Sequence, residues 1–125
     1  MKKILIIEDE EIMLDLIRRK MTSEGYEVIV ARDGEEGLRL IKEGQPDLIL
    51  LDLIMPKKDG FSVMAEVQKD EVSKKIPIII VSNSGQPVEL SRAKELGARD
   101  WLVKTEFDPR ELVEKVRNIL SEPIS

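Results

Sequence analysis

At 125 residues, with 42% hydrophobic and 36% charged residues, the chain suits one domain with a sizeable core, built from Ile, Leu, Val and Met because aromatics are only 3%. It contains no cysteine and no histidine, which excludes disulfides, thiolate or imidazole metal sites, a cysteine nucleophile and a phosphohistidine of its own. A formal net charge of −5 argues against a nucleic-acid surface, and no apolar run reaches membrane-span or signal-peptide length, so the expectation is a cytoplasmic protein that binds neither nucleic acid nor membrane.

In chain order, the first apolar run, KILIIED, predicts a strand over 3–8. It is followed by a helix over about 10–23, with Ile12, Met13, Leu16, Ile17 and Met21 on one stripe. Glu10 and Glu11 at its start, and Arg18, Arg19 and Lys20 near its end, complement the helix dipole; Gly25 stops it. YEVIVA predicts a second strand over 26–31, and Asp33-Gly34-Glu35-Glu36 opens a second helix with capping-box spacing, ending near Gly44 before Pro46.

PDLILLD predicts a third strand over 47–52, and a third helix starts around Asp59-Gly60, carrying Phe61, Met64, Ala65 and Val67. IPIIIVS gives a fourth strand over 76–82, then a helix from Pro87 to Gly97. DWLVK gives a fifth strand over 100–104, then a helix from Asp108-Pro109 that buries Leu112, Val113, Val116, Ile119 and Leu120. Most of these runs are continuously apolar rather than alternating, as in parallel strands covered on both faces. Five β-α repeats thus predict a single α/β domain with right-handed crossovers, and residues 122–125 read as a frayed tail or the start of a linker.

In an open α/β sheet, ligands bind beyond the carboxyl ends of the strands. The residues there are Glu8 and Asp9 after the first strand, Asp52 after the third, Ser82 at the end of the fourth and Lys104 at the end of the fifth. Each has an ordinary explanation alone: a turn or cap for Asp52, a helix start for Glu8 and Asp9, a strand-end hydroxyl for Ser82, a surface lysine for Lys104. Together, three carboxylates in one crevice repel one another, and a hard dication such as Mg²⁺ relieves that repulsion. A carboxylate nucleophile, a metal, a lysine and a hydroxyl are what phosphoryl transfer requires.

These residues, in the motifs ILIIEDE, LILLDLIMPKKDG, PIIIVSNS and DWLVKTEF, resemble the receiver domains of bacterial two-component response regulators over about residues 2–121. The resemblance implies a doubly wound (βα)5, flavodoxin-like domain with a five-stranded parallel sheet of order 2-1-3-4-5. It implies that Asp52 is phosphorylated by a sensor histidine kinase or phosphotransfer protein. Asp9, Asp52 and the Ile54 backbone carbonyl would hold Mg²⁺ (or Mn²⁺), with Glu8 acting through water. Lys104 would pair with Asp52 or its phosphoryl group, Ser82 would be the switch hydroxyl, and Trp101 the switch aromatic.

The surface of the fourth helix, fifth strand and fifth helix would then meet a protein partner, in a monomer or weak dimer that signals rather than acting as an enzyme on other substrates. Three positions depart from the family pattern. Thr105 replaces the usual proline after Lys104, which predicts a trans bond, because a cis bond before a non-proline costs about 2.5–4 kcal/mol. Asn83 replaces a small residue beside the switch hydroxyl, and Trp101 is bulkier than the usual Tyr or Phe.

Other classes compete. A haloacid-dehalogenase-type hydrolase needs a second acid where this chain has Ile54, and a flavodoxin-type cofactor binder needs a phosphate loop where it has the acidic EDEEIM. An interaction module independent of phosphorylation remains the alternative.

Overall fold

Continuous apolar runs become strands here because both faces of the sheet are covered. In the computed structural model, which describes residues 1–55, 57–83 and 85–121, the order is β1 (Lys3–Ile7), α1 (Glu11–Ser23), β2 (Glu27–Ala31), α2 (Gly34–Gly44), β3 (Leu48–Leu51), α3 (Gly60–Gln68), β4 (Ile78–Ser82), α4 (Pro87–Glu95), β5 (Ala98–Val103) and α5 (Pro109–Leu120). Short 3₁₀ turns at Ser73–Lys75 and Lys104–Glu106 were not among the expected elements. The strands are all parallel, in the order β2-β1-β3-β4-β5 that the family resemblance implies. Residues 122–125, expected as a tail, lie outside the described residues.

Alternate residues of the same strands feed two cores. Leu5, Ile7, Ile49, Leu51 and Ile80 meet Ile41 of α2, Val63, Met64 and Val67 of α3 and Ala93 of α4. Ile4, Ile6, Leu48, Leu50, Ile79 and Val81 meet Leu14, Ile17 and Met21 of α1 and Leu112, Val113 and Val116 of α5. A strand buried on both faces has no polar side to display, which is why alternation is missing from the sequence.

Helix starts follow the sequence closely. Asp33 accepts from the Glu36 amide at 2.8 Å, Asp59 from the Ser62 amide at 2.8 Å and Asp108 from the Arg110 amide at 2.9 Å. After α1 and α4 the chain turns through Gly25 (φ 94°) and Gly97 (φ 100°), in the left-handed region that glycine tolerates.

One expectation fails. The apolar stripe of α1 is Leu14, Ile17 and Met21, with Met13 half-buried, whereas Ile12 is 88% exposed and Leu16 43% exposed. Apolar residues surround most of this helix, so periodicity alone does not say which arc faces the sheet. The strand bounds also move slightly. A register shift between Ile78 and Ile79 lets β5 begin at Ala98 rather than 100, and the strand ends before Lys104.

Candidate functional site

The sheet order reverses between β1 and β3, so a crevice opens at their carboxyl ends. Ile7 and Leu51 are register partners, and the residues that follow them, Glu8 and Asp52, therefore emerge side by side. Their backbones are pinned. The Asp52 amide donates to the Ile7 carbonyl at 3.0 Å and the Glu8 amide to the Ala31 carbonyl at 3.0 Å. Gly60 allows the chain after Asp52 to pack against itself, since a Cβ there would stand 2.4 Å from the Asp52 carbonyl oxygen.

Lys104, the first residue beyond β5, reaches across the crevice with its side chain buried. Its ammonium donates to Glu8 Oε2 at 2.9 Å and to Glu10 Oε1 at 3.0 Å, and it lies 3.3 Å from Asp52 Oδ2. Glu8 Oε1 is 2.7 Å from the same nitrogen yet lacks hydrogen-bond geometry, so a buried carboxylate oxygen is left without a hydrogen-bond partner. One carboxylate oxygen each from Glu8, Glu10 and Asp52 lie within 4.8 Å of one another.

Burial dominates the electrostatics. It raises Glu8 to about 7, against the lowering effect of the Lys104 hydrogen bond, and the Asp52 charge adds to the rise. Burial likewise raises Asp52, with the Lys104 charge and hydrogen bonds from Glu8, Lys104 and the Ile54 amide opposing it. For Lys104 burial acts downward, but the Glu8 and Glu10 hydrogen bonds and nearby carboxylates outweigh it and the ammonium is held charged. Three acids around one ammonium leave an excess of negative charge. With oxygen-only donors and a buried carboxylate oxygen that accepts no hydrogen bond, that set fits a hard divalent cation.

The other expected residues fall as follows. Ser82, the last residue of β4, is buried at the same rim, and its strand partner is Val103, immediately before Lys104. Asn83 and Thr105 are exposed beside it, and the Lys104–Thr105 bond is trans, as every bond among the described residues is. The Ile54 side chain is exposed. Trp101 pairs with Ile80 in β5 and packs half-buried against the α2–α3–α4 core, with its indole nitrogen enclosed and unpartnered.

Asp9 stands beside Glu8 in the segment between β1 and α1. It is exposed and outside the converging group, whose third member is Glu10. Sequence reasoning had assigned Glu10 to the helix dipole. The signal that could have found it is the run of three acids in EDE, any of which can turn inward.

Residues 4–117 match the family described as "Response regulator receiver domain". Among relatives, the DNA-binding dual master transcriptional regulator RpaA of Synechocystis is 39% identical over 120 residues, 96% of this chain and 49% of that protein. The receiver domain of the Pseudomonas aeruginosa sensor histidine kinase PA1611, solved with magnesium coordinated in its active-site cleft, superposes with a TM-score of 0.89 at 26% identity, covering 97% of this chain and 98% of that one. Vibrio cholerae chemotaxis protein CheY4 superposes with a TM-score of 0.89 at 29% identity, covering 95% and 98%.

The chain spans about half the length of the curated relatives it matches. With a DNA-binding regulator among them, the expectation of no nucleic-acid partner is not borne out: an acidic balance describes this domain's surface and says nothing of what a longer chain would carry.

Proposed function

This chain belongs to the response regulator receiver domain family, and we propose that in it Asp52 accepts a phosphoryl group from a phosphohistidine. The observation that carries this reading is the buried Asp52 carboxylate, 3.3 Å from a buried lysine and flanked by two further acids. An Asp52 oxygen forms the new P–O bond as the N–P bond to the donor imidazole breaks, and the leaving imidazole takes up a proton. Lys104 supplies positive charge to the phosphoryl oxygens, and the Ser82 hydroxyl donates to one of them.

Asp9, Asp52 and the Ile54 carbonyl would hold Mg²⁺ (or Mn²⁺), with Glu8 acting through water. The ion would neutralise charge on the transferring group. Phosphorylation adds nearly two negative charges beside Ser82 and Lys104. Ser82 moves inward, Trp101 follows into the vacated space, and the α4–β5–α5 surface presented to a protein partner changes. Residues 2–121 constitute the receiver. The donor is a sensor histidine kinase or phosphotransfer protein, the setting is cytoplasmic, and the chain is a monomer or weak dimer whose chemistry is confined to its own phosphorylation and slow dephosphorylation. Among the described residues no helix is long and apolar enough to cross a membrane.

Intact mass after incubation with acetyl phosphate and Mg²⁺ tests this. A phosphoryl adduct is expected on the wild type and absent from Asp52→Asn and from samples in chelator. If no adduct forms and beryllofluoride leaves Trp101 fluorescence unchanged, the phosphorylation-independent interaction module becomes the better reading.

A further inference from the structure

Of the helices with an acidic N-cap, α1 alone among the described ones lacks a side-chain cap: Asp33, Asp59 and Asp108 accept from their own helices, whereas Glu10 caps nothing. Glutamate has one methylene too many for that role, so its carboxylate is free to leave the helix. It reaches Lys104, 94 residues away in sequence, at 3.0 Å. Its own amide donates to Glu8 Oε2 at 3.1 Å, which fixes the backbone from which it reaches. Glu10 is half-exposed while Lys104 is buried, so Glu10 covers the ammonium from the solvent side.

We infer that Glu10 is a positioning residue that competes with the incoming phosphoryl group for Lys104. The inference rests on the reading of Asp52 as phosphoryl acceptor. Lys104 has three donors. In the resting protein they are turned toward Glu8, Glu10 and Asp52. A phosphoryl group on Asp52 needs one of them, and the contact most readily given up is Glu10, the only exposed member of the three. Glu10 therefore sets how readily the site accepts a tetrahedral anion and returns when the anion leaves.

The test is beryllofluoride affinity at saturating Mg²⁺, read from the fluorescence of the single tryptophan, for wild type, Glu10→Gln and the control Glu11→Gln. Giving up a half-exposed ion pair predicts about fivefold tighter binding for Glu10→Gln. No gain is expected for Glu11→Gln, whose partner is Arg32. The gain should persist in 0.5 M salt, where long-range charge effects are screened. In metal-free protein, the Lys104 ammonium signal in ¹⁵N NMR should shift and exchange faster with water in Glu10→Gln, a change that a merely structural role would not produce.

Unchanged or weaker beryllofluoride binding by Glu10→Gln would overturn the inference. So would a tenfold loss of Mg²⁺ affinity, which would make Glu10 a metal ligand instead. If the wild type itself binds no beryllofluoride, the receiver reading fails and takes the competition with it. That is a different result from a wild type that binds while its Glu10 variant gains nothing.

Discussion

At the scale of single residues, the site is organised around charge that burial makes costly. Glu8 is raised by burial to about 7, so the folded protein holds a proton that the unfolded chain releases near 4.5. Between those values the folded state binds more protons, and stability falls as pH rises; below 4.5 the penalty is absent and above about 7 it is complete. The expected cost is on the order of 2–3 kcal/mol, since each pKa unit is worth about 1.4 kcal/mol and the adjacent Asp52 carboxyl shares in holding that proton. Urea unfolding in chelator from pH 5 to 8 should show this decline in the wild type and a flatter profile in Glu8→Gln. The opposite slope would mean that Lys104 neutralises Glu8 fully.

Gly60 belongs to the same scale. A Cβ there would meet the Asp52 carbonyl oxygen at 2.4 Å and Leu53 Cα at 2.8 Å, both backbone atoms that cannot swing aside. Gly60→Ala should cost about 2 kcal/mol or more in unfolding free energy. It should also slow phosphorylation by acetyl phosphate, because the displaced segment carries Asp52. An unperturbed variant would show that the loop yields more easily than its packing implies.

At the scale of elements, α1 shows where helical periodicity stops being informative. Leu14 is buried against the sheet while Ile12, two residues earlier, is exposed. Leu14→Ala should cost about 2–4 kcal/mol and Ile12→Ala less than about 0.5 kcal/mol in chemical denaturation. Similar costs for both would mean that the helix is rotated from the orientation described. Capping works as the sequence indicates at α2, α3 and α5, and Asp59→Ala should lose about 1 kcal/mol through the unpaired Ser62 amide. At α4, the Arg92 guanidinium stacks 4.2 Å over the Phe61 ring of α3, a tie between neighbouring helices that no periodic pattern announces.

At the scale of the whole molecule, the two cores share one central sheet, and adjacent residues of β3 serve opposite faces. Leu50 belongs to the core beneath α1 and α5 and Leu51 to the core beneath α2, α3 and α4. Leu50→Ala and Leu51→Ala should therefore each cost about 3 kcal/mol and lower the midpoint of one cooperative transition. Two separate transitions, or a neutral outcome at either position, would argue against a sheet sealed on both sides.

The sequence by itself determined the β-α rhythm with its parallel strands, the helix starts and which acids, hydroxyl and lysine stand at the strand ends, because each is written in local pattern: continuous apolar runs, Asp caps, and motifs whose spacing is set along the chain. Only the tertiary structure decided the α1 face, the early start of β5, the 3₁₀ turn at Lys104 and the contact of Glu10 with Lys104. Those outcomes depend on what lies across the crevice. Asp9 and Glu10 are adjacent acids with the same local preferences, and only the fold brings a buried ammonium from 94 residues away within reach of Glu10.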